Sequence, residues 1–313
     1  MFKITRYTAE HANEWNAFVA RSKNGTFLFD RNYMDYHSDR FKDFSLMVYR
    51  REKLYALLPC NINEDMTVVS HGGLTYGGLI MNEKATAKDI LEVFQLLQKY
   101  FREQGCKHVV YKTTPWIYHN QPAEEDHYAI VELFHARLKE RCLSSTIYKE
   151  RQNKWYRIRT CGYRKAKDAG IIIRESGNLA AFWEILTDNL WKKYGLKPVH
   201  TLKEICYLQS SFPQNIRLFA AYLGEEMIGG TVLYITPQVV HSQYISANEK
   251  GKSLHALDLL FHHVIDWSMK DHPYFDFGIS TEEHGTILNE ALIYQKEGFG
   301  GRGVCYDTYE WDI

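Results

Sequence analysis

Hydrophobic positions along this chain switch between a helical spacing of three and four residues and short solid apolar runs, and each switch marks an element. Trp15, Phe18 and Val19 share one face of a helix over Glu10–Ala20, closed by the turn residues Asn24–Gly25. Arg31–Ser38 reads as a short helix. Phe44–Tyr49 and Lys53–Pro59 read as strands joined by the polar Arg50–Glu52. Ile90, Leu91, Phe94, Leu97 and Phe101 predict an amphipathic helix over Thr86–Gln104, stopped by Gly105. Strand Val109–Thr113 follows, then a polar loop over Asn120–Asp126, then helix or mixed structure over Tyr128–Tyr148.

The second half is patterned similarly. A short strand at Ile171–Arg174 leads into helices over Leu179–Tyr194 and Leu202–Ser210. Strands Ile216–Leu223 and Met227–Thr236 form a hairpin, and Val239–Ala247 is a third strand. Leu257, Leu260, Phe261, Val264 and Ile265 predict a long helix over Ser253–Lys270. Strand Tyr274–Ile279, helix Asn289–Lys296 and strand Tyr306–Trp311 complete the chain. Neighbouring strands in hairpins, interleaved with helices, predict an α+β (mixed α/β) fold with mixed sheets flanked by helices.

The two halves repeat one order of elements. Trp15 and Trp183, Arg51 and Glu225, and Tyr111 and Asp276 occupy matching places, at separations of 168, 174 and 165 residues. A nearly constant offset points to duplication of one unit, with a boundary between residues 1–148 and 149–313; short apolar strands also align by chance. Duplicated units tend to create clefts, and clefts hold ligands.

Composition removes some functions. Lys+Arg and Asp+Glu both number 38, so no global charge pulls the chain toward nucleic acid or a membrane. No stretch approaches 18 uncharged apolar residues, and the N-terminus lacks the apolar core of a signal peptide, so a cytoplasmic protein without a membrane span is expected. The six cysteines form no CxxC and no zinc spacing, so no metal is expected. Cys60, Cys106 and Cys206 lie in apolar periodic stretches and read as buried free thiols. His262–His263 lies within a helix and reads as structural. His71–Gly78 (HGGLTYGG) lacks the Lys-Ser/Thr ending of a phosphate loop. It reads as a bulged strand segment where glycine admits a backbone or a ligand.

The hairpin, third strand, helix and short strand of the second half resemble the GNAT acyltransferase fold. Tyr156–Gly170 (YRIRTCGYRKAKDAG), followed by strand Ile171–Arg174, resembles the entry to the second domain of Fem-type aminoacyl transferases and related acetyltransferases. Phe275–Ser280 with Tyr294–Gly301 (FDFGIS…YQKEGFGG) resembles the FDFG…K..FG close of the same group. The resemblance implies two tandem GNAT-like units. It implies an acyltransferase that takes an acyl or aminoacyl group from an acyl-CoA thioester or an aminoacyl-tRNA. The acceptor would be the amine of a small molecule or peptide, with tRNA as a possible partner. Two departures stand out. The stretch matching the GNAT pyrophosphate loop, Asn248–His255, has the single glycine Gly251, and no heptad run forms the coiled-coil arm of many Fem proteins.

Acyl transfer to an amine requires a proton acceptor, a polarised carbonyl and positioned substrates; it needs no covalent intermediate, and no Ser–His–Asp pattern is present. Gly251, Lys252 and Ser253 open the predicted long helix, where free N–H groups and a lysine suit donor phosphates; Ser253 as a plain N-cap is the alternative. Asp276, Glu283 and His284 lie at and after the end of strand Tyr274–Ile279, where ligands gather in open sheets; Glu283, ahead of His284, is the expected proton acceptor, and a solvated loop is the alternative. Lys296 suits a developing oxyanion or a phosphate, or is a surface lysine; Tyr244 is a further candidate for the chemistry. Arg157, Arg159, Arg164, Lys165 and Lys167, interleaved with Trp155, Tyr156 and Tyr163, suit phosphates of CoA or a tRNA end, or form a solvated face. A binding protein for a peptide or glycan on the same duplicated fold, without catalysis, is the competing function. A nucleic-acid binder working through Lys149–Asp168 is a third.

Overall fold

A computed structural model describes residues 1–313. The chain divides into two compact units. The first comprises Met1–Cys142, Glu283–Ile287 and Cys305–Ile313; the second comprises Leu143–Glu282 and Leu288–Val304.

The first unit begins with a strand absent from the sequence expectations, β1 (Phe2–Arg6), followed by α1 (Ala12–Arg21) and the short α2 (Arg31–Met34). Strands β2 (Leu46–Arg50), β3 (Lys53–Leu58), β4 (Asn61–Ile62), β5 (Thr67–Val69) and β6 (Ile80–Met81) come next. Then follow α3 (Ala87–Glu103), β7 (His108–Lys112), α4 (Glu125–Phe134) and β8 (Arg137–Tyr148), whose second half belongs to the second unit. One sheet has the order β1-β2-β3-β6. β4 pairs antiparallel with β5, and β5 pairs parallel with β7. α3 buries Ile90, Val93, Phe94, Leu97 and Phe101, the face the spacing predicted. Thr86 caps its start and Gly105, at φ +73°, follows its end.

The second unit contains α5 (Arg157–Asp168), β9 (Ile172–Ser176), α6 (Leu179–Tyr194), α7 (Leu202–Ser211), β10 (Ile216–Leu223), β11 (Glu226–Ile235) and β12 (Val239–Ala247). It continues through α8 (Glu249–Ser253), α9 (Ala256–Ser268), β13 (Tyr274–Ile279), the two-residue strands β14 (Thr281–Glu282) and β15 (Ile287–Leu288), and α10 (Glu290–Gly298). Strand β16 (Arg302–Asp312) ends the chain and pairs with β7 through Thr308–Asp312. The sheet of this unit runs β8-β13-β12-β11-β10-β9; all neighbours are antiparallel except β12 and β13. Phe261, Val264 and Ile265 of α9 pack on Phe275 and Phe277 of β13 and on Phe299.

Each unit repeats the same order: outer strand, Trp-bearing helix, hairpin, parallel strand pair bracketing a long helix. Trp15 and Trp183 do the same work in α1 and α6. Both are buried, and each indole N–H donates to a distant carbonyl, Phe29 at 2.7 Å and His200 at 3.1 Å. The fold is α+β, two units built on one order of elements with mixed sheets flanked by helices.

Three expectations change. The helix expected to open at Ser253 starts earlier: Asn248 caps α8, the chain turns at Leu254–His255 with His255 at φ 60°, and α9 starts at Ala256. Cys60 and Cys106 are buried thiols, but Cys206 is exposed. α7 buries Ile205 and Leu208, and a residue one step from Ile205 sits about 100° around the helix, toward solvent. His71–Gly78 is a loop rather than a strand segment. Its glycines admit the unit's own atoms: a Cβ on Gly77 would lie 1.5 Å from the Ser70 carbonyl oxygen.

Candidate functional site

β12 and β13 are hydrogen-bonded as a parallel pair only over Val239↔Tyr274, Val240↔Phe275 and His241↔Asp276. Beyond that point β12 follows β11 as far as Ala247, and β13 follows β8 to Ile279. Irregularities on both strands assist the divergence. The register of β12 against β11 slips between Ser242 and Tyr244, leaving Gln243 as an extra residue; that of β13 against β8 slips between Asp276 and Ile279, where Gly278 takes φ +77°. Bulges bend a strand and sharpen its twist, so the pair forks.

A cavity of about 490 Å³ occupies the fork. Its walls are apolar: Ile245 from β12, Leu257 and Phe261 from α9, Phe277 from β13, and Leu292 and Phe299 at either end of α10. Its rim carries more lysine than carboxylate, with Lys192 and Lys193 from α6 and Lys252 beside Glu249 from α8. Asn189 ties α6 to the end of β12, its Nδ2 donating to Ser246 Oγ and to the Ala247 carbonyl, both at 2.7 Å. Lys252 Nζ donates to Asn189 Oδ1 at 2.8 Å and to Glu249 Oε1 at 2.7 Å. That lysine holds the Glu249 carboxyl below its usual range. Beneath the rim, Gly251 is pressed onto β11: a Cβ there would lie 2.1 Å from the Ile228 carbonyl oxygen.

Lys296 lines the same cavity and is 4 % exposed. Its Nζ donates to the carbonyls of Gly278 at 2.8 Å and Ile279 at 2.7 Å, the two residues at the splayed end of β13. Burial lowers its pKa to about 8, with the Asp276 carboxylate opposing the shift. An ammonium has three donors. Two are spent on β13, and one remains for a ligand.

Asp276 lies fully buried at the base of the fork. It accepts from Ser144 Oγ, from Thr146 Oγ1 at 2.8 Å and from His241 Nδ1 at 2.8 Å. This network joins β8, β12 and β13 at the point where pairing stops, and a satisfied buried network of this kind fixes geometry.

The fork therefore brings together Lys252 and Lys296, with Gly251 supporting the rim. Asp276 lies at the base of the fork, and the other candidates lie elsewhere. Glu283 and His284 are exposed, with φ 46° and 58°, and do not line the cavity; His284 Nδ1 faces Glu140 Oε1 at 3.2 Å. Tyr244 points to the opposite side of β12, its hydroxyl on His200 Nδ1 and its ring edge-on to Trp183. Ser253 is exposed, and its hydroxyl donates back to the Lys250 carbonyl at 2.9 Å. Arg164 and Lys165 are exposed on α5 and do not line the cavity. Phe261 and Phe277 read in the sequence as core; alternation alone does not reveal that they also wall a cavity. Lys192, Lys193 and Asn189 are polar positions near the end of the predicted helix Leu179–Tyr194 and carried no signal of their own. His241 and Ser144 were missed because their partner, Asp276, lies far away in sequence.

The corresponding parallel pair of the first unit does not fork. Ser70 continues the β5–β7 pairing: its N–H donates to Val110 at 3.0 Å, and its hydroxyl accepts from Lys112 N–H at 2.9 Å. The loop 71–78 follows directly, with Leu74 and Tyr76 buried. Lys112 Nζ donates to the Leu74 carbonyl at 2.7 Å, and Tyr111 Oη accepts from Leu79 N–H at 2.6 Å.

No helix is long and apolar enough to cross a membrane, and no cluster of His, Cys, Asp or Glu could hold a metal ion. Residues 162–285 match the acetyltransferase (GNAT) domain family. No curated protein matches the chain in sequence. Among solved structures, FemX aligns at TM-score 0.70 and 10 % identity, over 99 % of this chain and 97 % of that one. L-PGS from Bacillus licheniformis aligns at 0.62 and 12 %, over 97 % and 92 %. A tandem GNAT protein from the clavulanic acid biosynthesis pathway aligns at 0.53 and 10 %, over 100 % and 98 %. This chain has the GNAT/Fem-like acyltransferase fold, and residues 162–285 are similar to the GNAT domain family.

Proposed function

We propose that this protein is an N-acyltransferase. It moves an acyl or aminoacyl group from a phosphate-bearing donor, an acyl-CoA or an aminoacyl-tRNA, onto the amine of a small molecule or peptide. The observation that carries this reading is the fork between β12 and β13, with its apolar walls, lysine rim and Lys296 inside. Pairing between β12 and β13 stops at His241↔Asp276, so an extended donor arm can enter beside β12 where the strands part. Lys192, Lys193 and Lys252 suit its phosphates.

In the reaction the amine nitrogen attacks the donor carbonyl carbon, and the C–S or C–O bond to the carrier breaks. The carrier leaves as a thiol or hydroxyl, and the ammonium proton is released. The remaining N–H of Lys296 can bond the oxyanion as it develops, in a pocket whose low polarity strengthens that contact. Holding both substrates in the fork supplies the rest. Lys296 favours an enzyme over the non-catalytic reading through its position: it lines the cavity at the splayed end of β13 with an ammonium donor left over after bonding Gly278 and Ile279.

The test is a thermal-shift and turnover screen with CoA thioesters and charged tRNA. A donor at about a hundred times its Kd stabilises the protein by about 2.7 kcal/mol. A donor that raises the melting temperature, and releases its carrier only when an amine is present, supports the reading. Failure of both donor classes to shift the melting temperature overturns it.

A further inference from the structure

The last turn of α6 and the segment after it present apolar side chains to solvent. Trp191 is 61 % exposed, Leu196 60 % and Val199 78 %, with Tyr194 at 49 %. Trp191 and Tyr194 are three residues apart, on one face of the helix. The Gly195 cap turns the chain so that Leu196 and Val199 follow immediately. Lysines are interleaved with them: Lys192, Lys193 and Lys197, with Lys203 at the start of α7. No Asp or Glu occurs between Asp188 and Glu204, although the chain as a whole carries no net charge. Asp188 offsets Lys192 at 2.7 Å; Lys197 is exposed with no acidic residue beside it in the sequence.

This mixture selects a partner. Interfaces with other proteins are depleted in lysine. Single-stranded nucleic acid is held by aromatic stacking on bases, which gives exposed Leu196 and Val199 nothing to do. A lipid interface uses all three kinds of side chain. Trp and Tyr rings sit at headgroup depth, aliphatic side chains enter the acyl boundary, and lysines reach anionic headgroups.

We propose that Trp191–Val199 docks the protein on an anionic lipid surface. Lys192, Lys193 and Tyr194 belong both to this segment and to the rim of the cavity. Docking therefore brings the mouth of the cavity to the headgroups. The inference concerns where the protein sits, and it stands whether or not the cavity performs acyl transfer.

The experiment is flotation of the purified full chain with vesicles of phosphatidylcholine alone, or of phosphatidylcholine with about one-third phosphatidylglycerol. The variants avoid residues lining the cavity. The expected result is binding to the anionic vesicles only, weakened by added salt. The triple variant Trp191→Ser, Leu196→Ser, Val199→Ser lowers it by at least about tenfold. Lys197→Glu lowers it by about fivefold. All four positions are exposed, so circular dichroism and melting temperature should match wild type. Three results overturn the proposal. One is no binding, or equal binding to both vesicle types. Another is anionic binding that the triple variant leaves unchanged. The third is RNA binding that the triple variant abolishes while vesicles are ignored. None of these measurements reads turnover, so failure here is distinct from failure of the transferase reading.

Discussion

Lys296→Met offers a test of the cavity that requires no substrate. The lysine is 4 % exposed, and burial brings its pKa down to about 8 from the ordinary 10.5. Methionine keeps most of its volume and does not titrate. The Gly278 and Ile279 carbonyls lose their donor in the variant at every pH, which contributes a constant offset. What varies with pH is the proton. Below about pH 8 the lysine is charged in both the folded and the unfolded chain, and the folded state bears the full cost of burying it. Between about 8 and 10.5 the folded state has released the proton and the unfolded state still holds it, so stability rises with pH. Each pH unit is worth about 1.4 kcal/mol there. Wild type should therefore gain about 2–3 kcal/mol on Lys296→Met between about pH 7 and pH 10. Urea unfolding followed by far-UV circular dichroism at four pH values measures that difference, and subtraction removes every other titrating group. A difference that stays flat across the range would refute both the displaced pKa and the oxyanion role built on a buried amine.

Three further outcomes follow from the same geometry. Lys252→Glu should weaken donor binding by about tenfold at low salt, and by much less near molar salt, where the Debye length falls to about 3 Å; calorimetric titration at two ionic strengths checks it. Gly251→Ala puts a Cβ 2.1 Å from the Ile228 carbonyl oxygen, so it should cost about 1–3 kcal/mol of stability and lower donor affinity with it, read by melting temperature and titration. Glu283→Gln and His284→Ala, at exposed positions outside the cavity, should keep turnover within about twofold; a loss of about 10²–10⁴ in either would return the loop to the chemistry.

Much of the fold was legible because burial is periodic. α3, α6, α9 and the β10–β11 hairpin fall within a few residues of their predicted spans, and Gly105 and Gly195 end helices in the left-handed conformation expected of them. β1 was not legible: Phe2–Arg6 alternates with charged residues on a short edge strand. β4, β5 and β6 have two or three residues each, too few for any period to show. The site was legible in part. Helix-end electrostatics points to Lys252, and a cation in the short helix after β13 points to Lys296; both line the cavity. The fork itself was not visible, because it depends on where pairing between β12 and β13 stops. That point is set by the network of Asp276 with His241, Ser144 and Thr146, drawn from three strands.

The contrast between the units explains why the same order of elements yields only one such fork. A parallel pair can diverge only if both strands are long enough to be held by their outer neighbours after they part. β12 has nine residues, and β11 holds it to its end at Ala247; β13 is held by β8 through Ile279. In the first unit β5 has three residues, and its pairing with β7 ends at Val69↔Val110. Ser70 then extends the pairing by side-chain and backbone bonds to Val110 and Lys112, and a glycine-rich loop follows where a strand would otherwise have continued. Gly77, packed against the Ser70 carbonyl, has no room for even a methyl group. Of the two approaches the sequence left open for the glycines of His71–Gly78, a backbone or a ligand, the first unit's own backbone is the one that comes near. These glycines let the chain fold back onto its own sheet, while Gly251 in the second unit lets α8 settle against β11 and leaves the cavity beside it open.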